Sequence, residues 1–486
     1  MACTTILVGK KASYDGSTLI ARNDDGGFDT KKMIVVTKDN QPKKYKSVIG
    51  HLEIDLPDNP LSYTACPSVD KKNGIWAACG INSANVSMTA TETITSNARV
   101  LGADPLVKYQ KETDGKPEIP GGIGEEDLVV LVLPYIRSAK EGVIRLGSLL
   151  EKYGTYESNG IAFSDKNEIW WLETIGGHNW IARRVKDDEY VIMPNQFGLD
   201  RFDFDDAYTN QKENMCSSNL KEFVSKNHLN LNMDNNFNPR LAFGSHDDSD
   251  HVYNTPRGWY MARYFNPTTY KWEGDLADFT PESDNIPWAL VPERKITVED
   301  VKYILSSYYQ GTPYNPYSKN DTGVRGKYRP IGISRTDCMA ISQIRDYVSE
   351  EIQAVEWICF ASNAFNAAVP LYTNVLQVPK YFSNVTLDAS TDNLYWNSRI
   401  IGALTDAHFS SAIIHVERYQ KTVSARGHEI INKYDELFNQ TKDLTLLDKA
   451  NNEIEAMIKE ETQKALNNVL RTASLLMKNG YNRADN

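Results

Sequence analysis

Four short apolar segments separated by tight turns lie in the first half of the chain. They are residues 160–164, 168–174, 179–185 and 190–196, and Asp165-Lys166-Asn167 and Gly176-Gly177 occupy two of the turns. Connections this short join antiparallel strands, because a parallel crossover needs a dozen residues or more. The sequence therefore predicts an antiparallel meander of three or four strands.

The N-terminus predicts a second antiparallel element, a β-hairpin. Cys3 opens a β-branched run through residue 8, residues 14–17 have turn composition, and a second apolar run ends at Arg22-Asn23-Asp24-Asp25. A hairpin of this length returns Arg22 and Asp25 toward Cys3. The thiol and two charged groups are thus expected at one end of the hairpin.

The position of Cys3 permits two interpretations. If a leader of residues 1–2 is removed, Cys3 has a free α-amine close to its own sulfur. An α-amine has a reference pKa of about 8 and can act as the base that activates the thiol. Methionine aminopeptidase would still leave Ala2 in place, so self-cleavage of the Ala2–Cys3 bond is the hypothesis. The alternative is a small buried hydrophobic residue near a terminus.

The rest of the chain predicts a mixed α+β protein. Helical periodicity begins at residue 126, is interrupted at Pro134 and ends near Gly154, whereas residues 330–375 are strand-like. Over the last hundred residues, apolar side chains recur at i, i+3, i+4 and i+7, which indicates a pair of amphipathic helices. We expect a catalytic unit with helical insertions and a helical C-terminal extension packed on it, with the bounds 3–400 and 401–486.

Composition excludes several classes of partner. The chain of 486 residues carries 53 basic and 64 acidic residues, a net charge of −11, without a basic stripe, so we expect no nucleic acid partner. Apolar segments stay well short of the roughly 18 residues of a membrane span, and no signal peptide is apparent. Six scattered cysteines without a CxxC pair favour a reduced compartment. We expect a cytoplasmic protein with no membrane partner.

Two polar motifs are compatible with ligand binding. Residues 245–251 contain two histidines and three aspartates, but their spacing matches neither a helical HExxH pair nor an EF-hand loop, so a solvated loop is favoured. The glycine-rich run 121–124 precedes a helix but lacks the lysine of a phosphate-binding loop, which favours a flexible loop. We expect no metal and no cofactor.

Several stretches of the chain resemble the C69 family of bacterial dipeptidases, of the dipeptidase A type. These stretches are residues 1–18, 21–25, 165–200, 253–257 and 335–337. The resemblance extends over nearly the whole chain. It implies an N-terminal-nucleophile (Ntn) hydrolase with an αββα sandwich, in which two antiparallel sheets lie between helical layers.

The same resemblance implies roles for individual residues. Cys3 corresponds to the nucleophile, Arg22 lies near the thiolate, and Asp25 orients the α-amine. Asn195 corresponds to the asparagine of the oxyanion hole. Arg257 is the best match to a second active-site arginine, although Arg263 is close enough in sequence to be confused with it. A guanidinium beside the sulfur is expected to lower the pKa of the thiol.

Glu92 departs from the pattern of related acylases, which have an asparagine of the oxyanion hole at or beside this position. A carboxylate cannot donate to an oxyanion unless it is protonated. One hypothesis is that Glu92 binds the α-ammonium of a dipeptide, and the alternative is an exposed glutamate at a strand end.

The resemblance implies hydrolysis of dipeptides through a thioester on Cys3, in an enzyme expected to form a homo-oligomer. One alternative is an amide hydrolase for N-acyl substrates, similar to penicillin V acylase and bile salt hydrolase. A second alternative is a secernin-like protein with a non-catalytic, interacting role. Retention of Cys3, Arg22, Asp25 and Asn195 favours an active enzyme.

Overall fold

The computed structural model describes residues 3–234, 236–320 and 323–477, so the predicted leader of residues 1–2 lies outside the described residues. Its strands are β1 Thr4–Val8, β2 Thr18–Asp24, β3 Ile34–Val36, β4 Lys44–Lys46, β5 Glu53–Asp55, β6 Tyr63–Ala65, β7 Cys79–Ile81, β8 Ser87–Thr89, β9 Glu92–Thr93, β10 Asn159–Ser164, β11 Ile169–Ile175, β12 Asn179–Val185, β13 Tyr190–Met193, β14 Asn214–Cys216, β15 Ala289–Leu290, β16 Cys338–Ile344, β17 Ala354–Phe360 and β18 Val369–Tyr372.

The helices lie between and after these strands. They are α1 Ala98–Ala103, α2 Leu128–Val132, α3 Ala139–Tyr153, α4 Phe204–Tyr208, α5 Leu220–Lys226, α6 Pro239–Phe243, α7 Asp250–Tyr253, α8 Thr255–Phe265, α9 Val298–Leu305, α10 Lys380–Ser383, α11 Leu394–Ala407, α12 Phe409–Thr441 and α13 Thr445–Leu475. Pro134 lies in a 3₁₀ turn, Leu133–Tyr135, between α2 and α3, as its missing N–H and fixed φ predict. None of the described helices has both the length and the hydropathy needed to cross a membrane.

Two large antiparallel sheets form the centre of the protein. The first sheet has the strand order β15-β13-β1-β2-β16-β17-β18, so the predicted N-terminal hairpin, β1 and β2, lies near its middle. The second sheet has the order β14-β12-β11-β10-β8-β7, and β9 also pairs with β10. The prediction of a mixed α+β fold built on antiparallel sheets is confirmed.

One part of the predicted meander is wrong. Strands β10, β11 and β12 pair in sequence, but β13 leaves that sheet and pairs with β1 in the first sheet, where Thr5 lies opposite Met193. The turn before β13 is held by β1 and the residues after it, since Gly9 N–H donates to Glu189 O and Lys11 N–H donates to Asp187 O. This crossing brings the segment after β13 next to Cys3.

Side chains alternate between the two faces of each strand, and the apolar ones form three core layers, one between the sheets and one on each outer face. On β1, Ile6 and Val8 pack with helix α9 on the outer face, whereas Leu7 packs between the two sheets. The second sheet likewise turns Trp170 toward α3 and Trp171 toward the first sheet. Both sheets are therefore buried on both faces.

The two long C-terminal helices are confirmed and pack on the first sheet. Helices α12 and α13 contact each other and β18. The predicted apolar positions Ile454, Met457, Ile458, Ala465, Leu466 and Val469 are buried, whereas the predicted positions Leu470 and Leu476 are exposed. Residues 478–486 lie outside the described part of the chain.

Candidate active site

Cys3 lies immediately before β1 and is fully buried. Side chains on a strand alternate between faces, so Cys3 and Thr5 share the face of Leu7 between the sheets. On β2, Arg22 and Asp24 share the corresponding face of Ile20, and Thr5 lies opposite Arg22 in the register. The hairpin therefore places Arg22 and the thiol on one face without any long-range contact.

Arg22 joins the thiol to two buried carboxylates. Its Nη2 lies 2.7 Å from Cys3 Sγ, 2.7 Å from Glu125 Oε1 and 3.4 Å from Asp24 Oδ1. Its Nη1 donates to the carbonyl oxygens of Ala90 and Ala78. Asp24 also receives Lys31 Nζ at 2.8 Å. The sulfur thus lies in a buried network of opposite charges.

Three side chains of this network are of the types that bind metal ions. Cys3 Sγ and one carboxylate oxygen each of Asp24 and Glu125 lie within 4.8 Å of one another. However, Arg22 Nη2 contacts all three groups and supplies the positive charge at their centre. The donor set therefore serves a guanidinium in this structure.

Burial, rather than Arg22, dominates the acidity of the thiol. Desolvation raises the pKa of Cys3 well above its usual range, Arg22 lowers it, and the charges of Glu125, Glu92 and Asp24 raise it further. The guanidinium thus lowers the pKa of the thiol as predicted, but burial outweighs its effect. A buried, protonated thiol needs a base close by before it can attack.

Arg257 holds the backbone on the other side of Cys3. It lies near the start of α8, where Pro256 occupies a position that suits its missing N–H, and its side chain is fully buried. The guanidinium donates to six acceptors: Cys3 O, Thr4 Oγ1, Pro194 O, Asn195 Oδ1, Asn254 Oδ1 and Tyr253 O. Burial lowers its pKa to about 9, and the nearby Arg329 adds to that effect.

Arg263, the competing match, lies elsewhere. Its Nη2 forms an ion pair with Glu273 at 2.6 Å, and its side chain is 29% exposed. Of the two arginines, Arg257 is the one that contacts Cys3.

Asn195 contacts the nitrogen of Cys3. The crossing of β13 into the first sheet ends at Pro194, and Asn195 adopts a left-handed conformation with φ of 65°, which asparagine tolerates better than most residues. Its Oδ1 accepts from Cys3 N–H at 3.1 Å, and its Nδ2 donates to Thr93 O at 2.9 Å. An amide NH₂ has two N–H groups, so one remains for a further acceptor.

The carboxylate of Glu92 holds the Asn195 turn by a hydrogen bond to its backbone. It is fully buried, so its interpretation as an exposed strand-end residue is wrong. Its Oε1 accepts from Asn195 N–H at 2.8 Å and its Oε2 accepts from Thr5 Oγ1 at 2.7 Å. Burial raises its pKa to about 7. Both carboxylate oxygens are thus used in linking β1 to the Asn195 turn.

Asp25 does not contact the nitrogen of Cys3, which donates to Asn195 instead. Its carboxylate accepts from Arg329 and from Thr336 Oγ1. The reason is alternation: Asp25 follows Asp24 at the end of β2 and therefore leaves the face that carries Arg22. Asn23, on the same outer face, donates to Leu305 O of α9.

Sequence reasoning missed Glu125, which approaches Cys3 from a distant segment. It follows the glycine-rich run 121–124, and this run is buried, so its interpretation as a flexible loop is wrong. A Cβ added to Gly122 would meet the backbone of Gly154 at 2.6 Å. Three consecutive acids, 125–127, directly before an apolar run were the available signal.

The histidine and aspartate motif at 245–251 lies outside this network. His251 Nε2 contacts the Asp284 carboxylate at 3.1 Å on the surface, and Ser245 N–H donates to Thr95 O.

Comparison with known proteins identifies the chain. The sequence model described as Peptidase family C69 matches residues 2–422, and the chain belongs to this family of cysteine peptidases. A protein of Bifidobacterium longum named dipeptidase is 51% identical over the full length of both chains. A probable dipeptidase A of Streptococcus pyogenes is 50% identical, also over both full lengths. Dipeptidase A of Lactobacillus helveticus is 44% identical and covers 92% of this chain and 91% of its own.

Proposed function

We propose that this peptidase hydrolyses dipeptides and that Cys3 is its nucleophile. The observation that carries the proposal is the convergence of three predicted site residues on Cys3. Arg22 contacts the sulfur, Asn195 contacts the nitrogen and Arg257 contacts the carbonyl oxygen. The names of the full-length relatives support the substrate class.

We further propose that the fold is the αββα sandwich of the Ntn hydrolases. Two antiparallel sheets that enclose a hydrophobic layer, with helices against both outer faces, support this assignment. We take residues 3–400 as the catalytic unit and the chain from residue 401, which includes the end of α11 and the helices α12 and α13, as an extension packed on it. The position of Cys3 directly before a central strand is the position from which such a nucleophile acts.

Activation begins with removal of residues 1–2. The nitrogen of Cys3 is an amide nitrogen while Ala2 is attached, and an amide nitrogen is not a base. Cleavage of the Ala2–Cys3 bond turns it into an amine that Asn195 Oδ1 already holds at 3.1 Å. That amine then accepts the thiol proton as the sulfur attacks, so the buried sulfur with its raised pKa need not ionise before the reaction.

The thiolate attacks the peptide carbonyl carbon and forms a tetrahedral intermediate. The second N–H of Asn195 Nδ2 donates to the oxyanion, a contribution on the order of 3 kcal/mol to the barrier. The C–N bond breaks as the Cys3 ammonium returns its proton to the leaving amino acid. Water then attacks the thioester, which releases the first amino acid and restores the thiol.

The test combines intact mass with hydrolysis of a dipeptide panel, for the purified protein and for Cys3→Ala. We expect the natural chain to lack residues 1–2 and to cleave dipeptides, and Cys3→Ala to retain Ala2 and to be inactive. An active protein that keeps Ala2 would overturn the amine as base.

The same panel includes N-acyl amino acids to separate the substrate classes. Cleavage of N-acyl substrates in preference to free dipeptides would overturn the dipeptidase assignment. A Cys3→Ala protein that keeps its full biological effect would favour the interacting, secernin-like role.

A further inference from the structure

Glu125 has a buried carboxylate oxygen for which the described residues provide no hydrogen bond. The residue is 3% exposed, and its Oε1 accepts from Arg22 Nη2 at 2.7 Å and from Thr91 N–H at 3.3 Å. Its Oε2 accepts none. A buried carboxylate oxygen without a donor is costly and calls for an explanation, such as a water, an ion, a catalytic role or a bound ligand.

A second unpartnered oxygen lies on Thr91, whose backbone contacts Glu125. Thr91 Oγ1 is buried and has no hydrogen bond within the described part of the chain. A carboxylate oxygen only accepts, a hydroxyl can accept or donate, and an ammonium carries three N–H donors. The carboxylate oxygen thus favours a cationic donor over a carboxylate or an amide oxygen, and the hydroxyl can accept from the same donor.

The position of Glu125 relative to the sulfur suits the first residue of a substrate. A carboxylate oxygen of Glu125 lies within 4.8 Å of Cys3 Sγ. When the thiol attacks a dipeptide, the α-nitrogen lies only about 2.5 Å from the carbonyl carbon under attack. A hydrogen bond of about 2.8 Å from that nitrogen reaches a carboxylate at this distance from the sulfur.

Within the described residues, Glu125 has fewer cationic partners than Asp24. Asp24 pairs with Lys31 at 2.8 Å and with Arg22 at 3.4 Å. Glu125 pairs with Arg22 alone among the described side chains, at 2.7 Å, and Glu157 lies beside it, with Oε1 accepting Glu125 N–H at 2.6 Å. A substrate ammonium would place a second positive charge against Glu125.

We propose that Glu125, with Thr91 Oγ1, binds the α-ammonium of the dipeptide and so restricts the enzyme to substrates with a free N-terminus. This inference rests on the proposed dipeptidase function and assigns to Glu125 the role predicted for Glu92. Glu92 is a positioning residue instead, because both of its oxygens hold protein groups. An N-acylated substrate offers an uncharged, bulkier amide at this point, which Glu125 excludes.

The test compares Glu125→Gln with the control Glu168→Gln. Glutamine keeps an oxygen for Arg22 but removes the charge, and Glu168 pairs with Arg184 rather than with any residue of the Cys3 network. Each variant is assayed with a dipeptide that the natural enzyme cleaves and with its analogue lacking the α-amino group. We expect Glu125→Gln to raise KM for the dipeptide at least 30-fold, while kcat/KM for the analogue changes less than threefold. Glu168→Gln should leave both values within threefold.

Equal losses on both substrates in Glu125→Gln would show that Glu125 acts through Arg22 and would overturn the proposal. A natural enzyme that cleaves no dipeptide would instead overturn the proposed function.

A second measurement needs no variant: alkylation of Cys3 by iodoacetamide in the processed enzyme, with an amino acid amide as competitor. We expect protection by the amide with a free amine and at least tenfold weaker protection by its N-acetyl form, and equal protection would contradict the proposal.

Discussion

The two arginines at Cys3 have opposite surroundings. Arg22 lies among charged partners, with the thiol, Asp24 and Glu125 around a single guanidinium nitrogen. Arg257 donates to six neutral acceptors, which are three backbone carbonyl oxygens, two side-chain amide oxygens and the hydroxyl of Thr4. Accordingly, the charges around Arg22 raise its pKa, whereas burial lowers the pKa of Arg257.

This difference separates two tasks. On the Arg22 side, neighbouring charges act on the pKa of the sulfur and, in our proposal, on the ammonium of the substrate. On the Arg257 side, a network of hydrogen bonds holds the backbone of Cys3, the Asn195 turn and the start of α8 in one arrangement. Substitutions on the two sides should therefore change different measured quantities.

Replacement of Arg257 by methionine should have the largest effect. It leaves six buried acceptors without their donor, so we expect the free energy of unfolding to fall by about 3 to 5 kcal/mol and activity to be lost. Urea denaturation followed by tryptophan fluorescence measures the change. A loss below about 1 kcal/mol would contradict the positioning task.

Arg22→Lys should primarily affect chemistry. A lysine keeps the charge but cannot contact Sγ and Glu125 as a planar fork does, so kcat/KM should fall on the order of 100-fold. The charge of Arg22 lowers the pKa of the thiol, and the shorter lysine holds its charge farther from Sγ, so alkylation of Cys3 should need a higher pH in this variant. An unchanged pH profile would remove Arg22 from thiol activation.

Glu92→Gln tests the positioning role of that carboxylate. Glutamine has one acceptor oxygen where two are needed, for Thr5 and for the Asn195 turn, so kcat should fall about tenfold with KM within threefold. The opposite pattern, a large KM rise for dipeptides with N-acyl substrates spared, would restore Glu92 as the ammonium site.

Buried carboxyl groups should make stability depend on pH. Burial raises the pKa values of Glu92, Glu173 and Glu356 to about 7, from about 4.5 when unfolded. Between these values the folded state binds more protons, so the free energy of unfolding should fall as pH rises from 4.5 to 7. We expect a loss of about 1 kcal/mol or more per group, and urea titrations at pH 5 and 7.5 measure it. Glu92→Gln should show a smaller loss, and stability that rises over this interval would contradict the assignment.

Arg263→Gln should have the smallest effect. Its ion pair with Glu273 is solvent-exposed, and such pairs contribute about 0 to 1 kcal/mol. We expect kcat/KM to stay within twofold and the unfolding midpoint to change by at most a degree or two. A large loss of activity would reopen the choice between Arg257 and Arg263.

Local rules explain what could be predicted. The β-branched run after Cys3 and the turn at 14–17 predicted the hairpin, and period-two alternation is sufficient to place Arg22 on the face of the thiol. The same rule predicts that Asp25 points away from Cys3, and in the structure its carboxylate does contact Arg329 and Thr336 instead. The helix interrupted at Pro134 and the final amphipathic helices also followed from local chemistry.

The features that the sequence did not predict depend on pairing between distant segments of the chain. Spacing alone indicated that β13 continues the meander, but its partner is β1, more than 180 residues earlier. Glu125 reaches Arg22 across 103 residues, through a glycine loop that looked flexible because its packing against Gly154 is invisible in the sequence.

The sequence by itself determined the nucleophile candidate, the hairpin that returns Arg22 to it, and the family, because these rest on short-range periodicity and on motifs. Only the tertiary structure decided which groups surround Cys3. It brought Asn195 to the nitrogen of Cys3, Arg257 rather than Arg263 to its carbonyl oxygen, and Glu125 to the Arg22 guanidinium beside the sulfur. The physical reason is that charge and hydrogen-bond satisfaction in a buried site depend on which distant segments meet there, and no local pattern encodes that meeting.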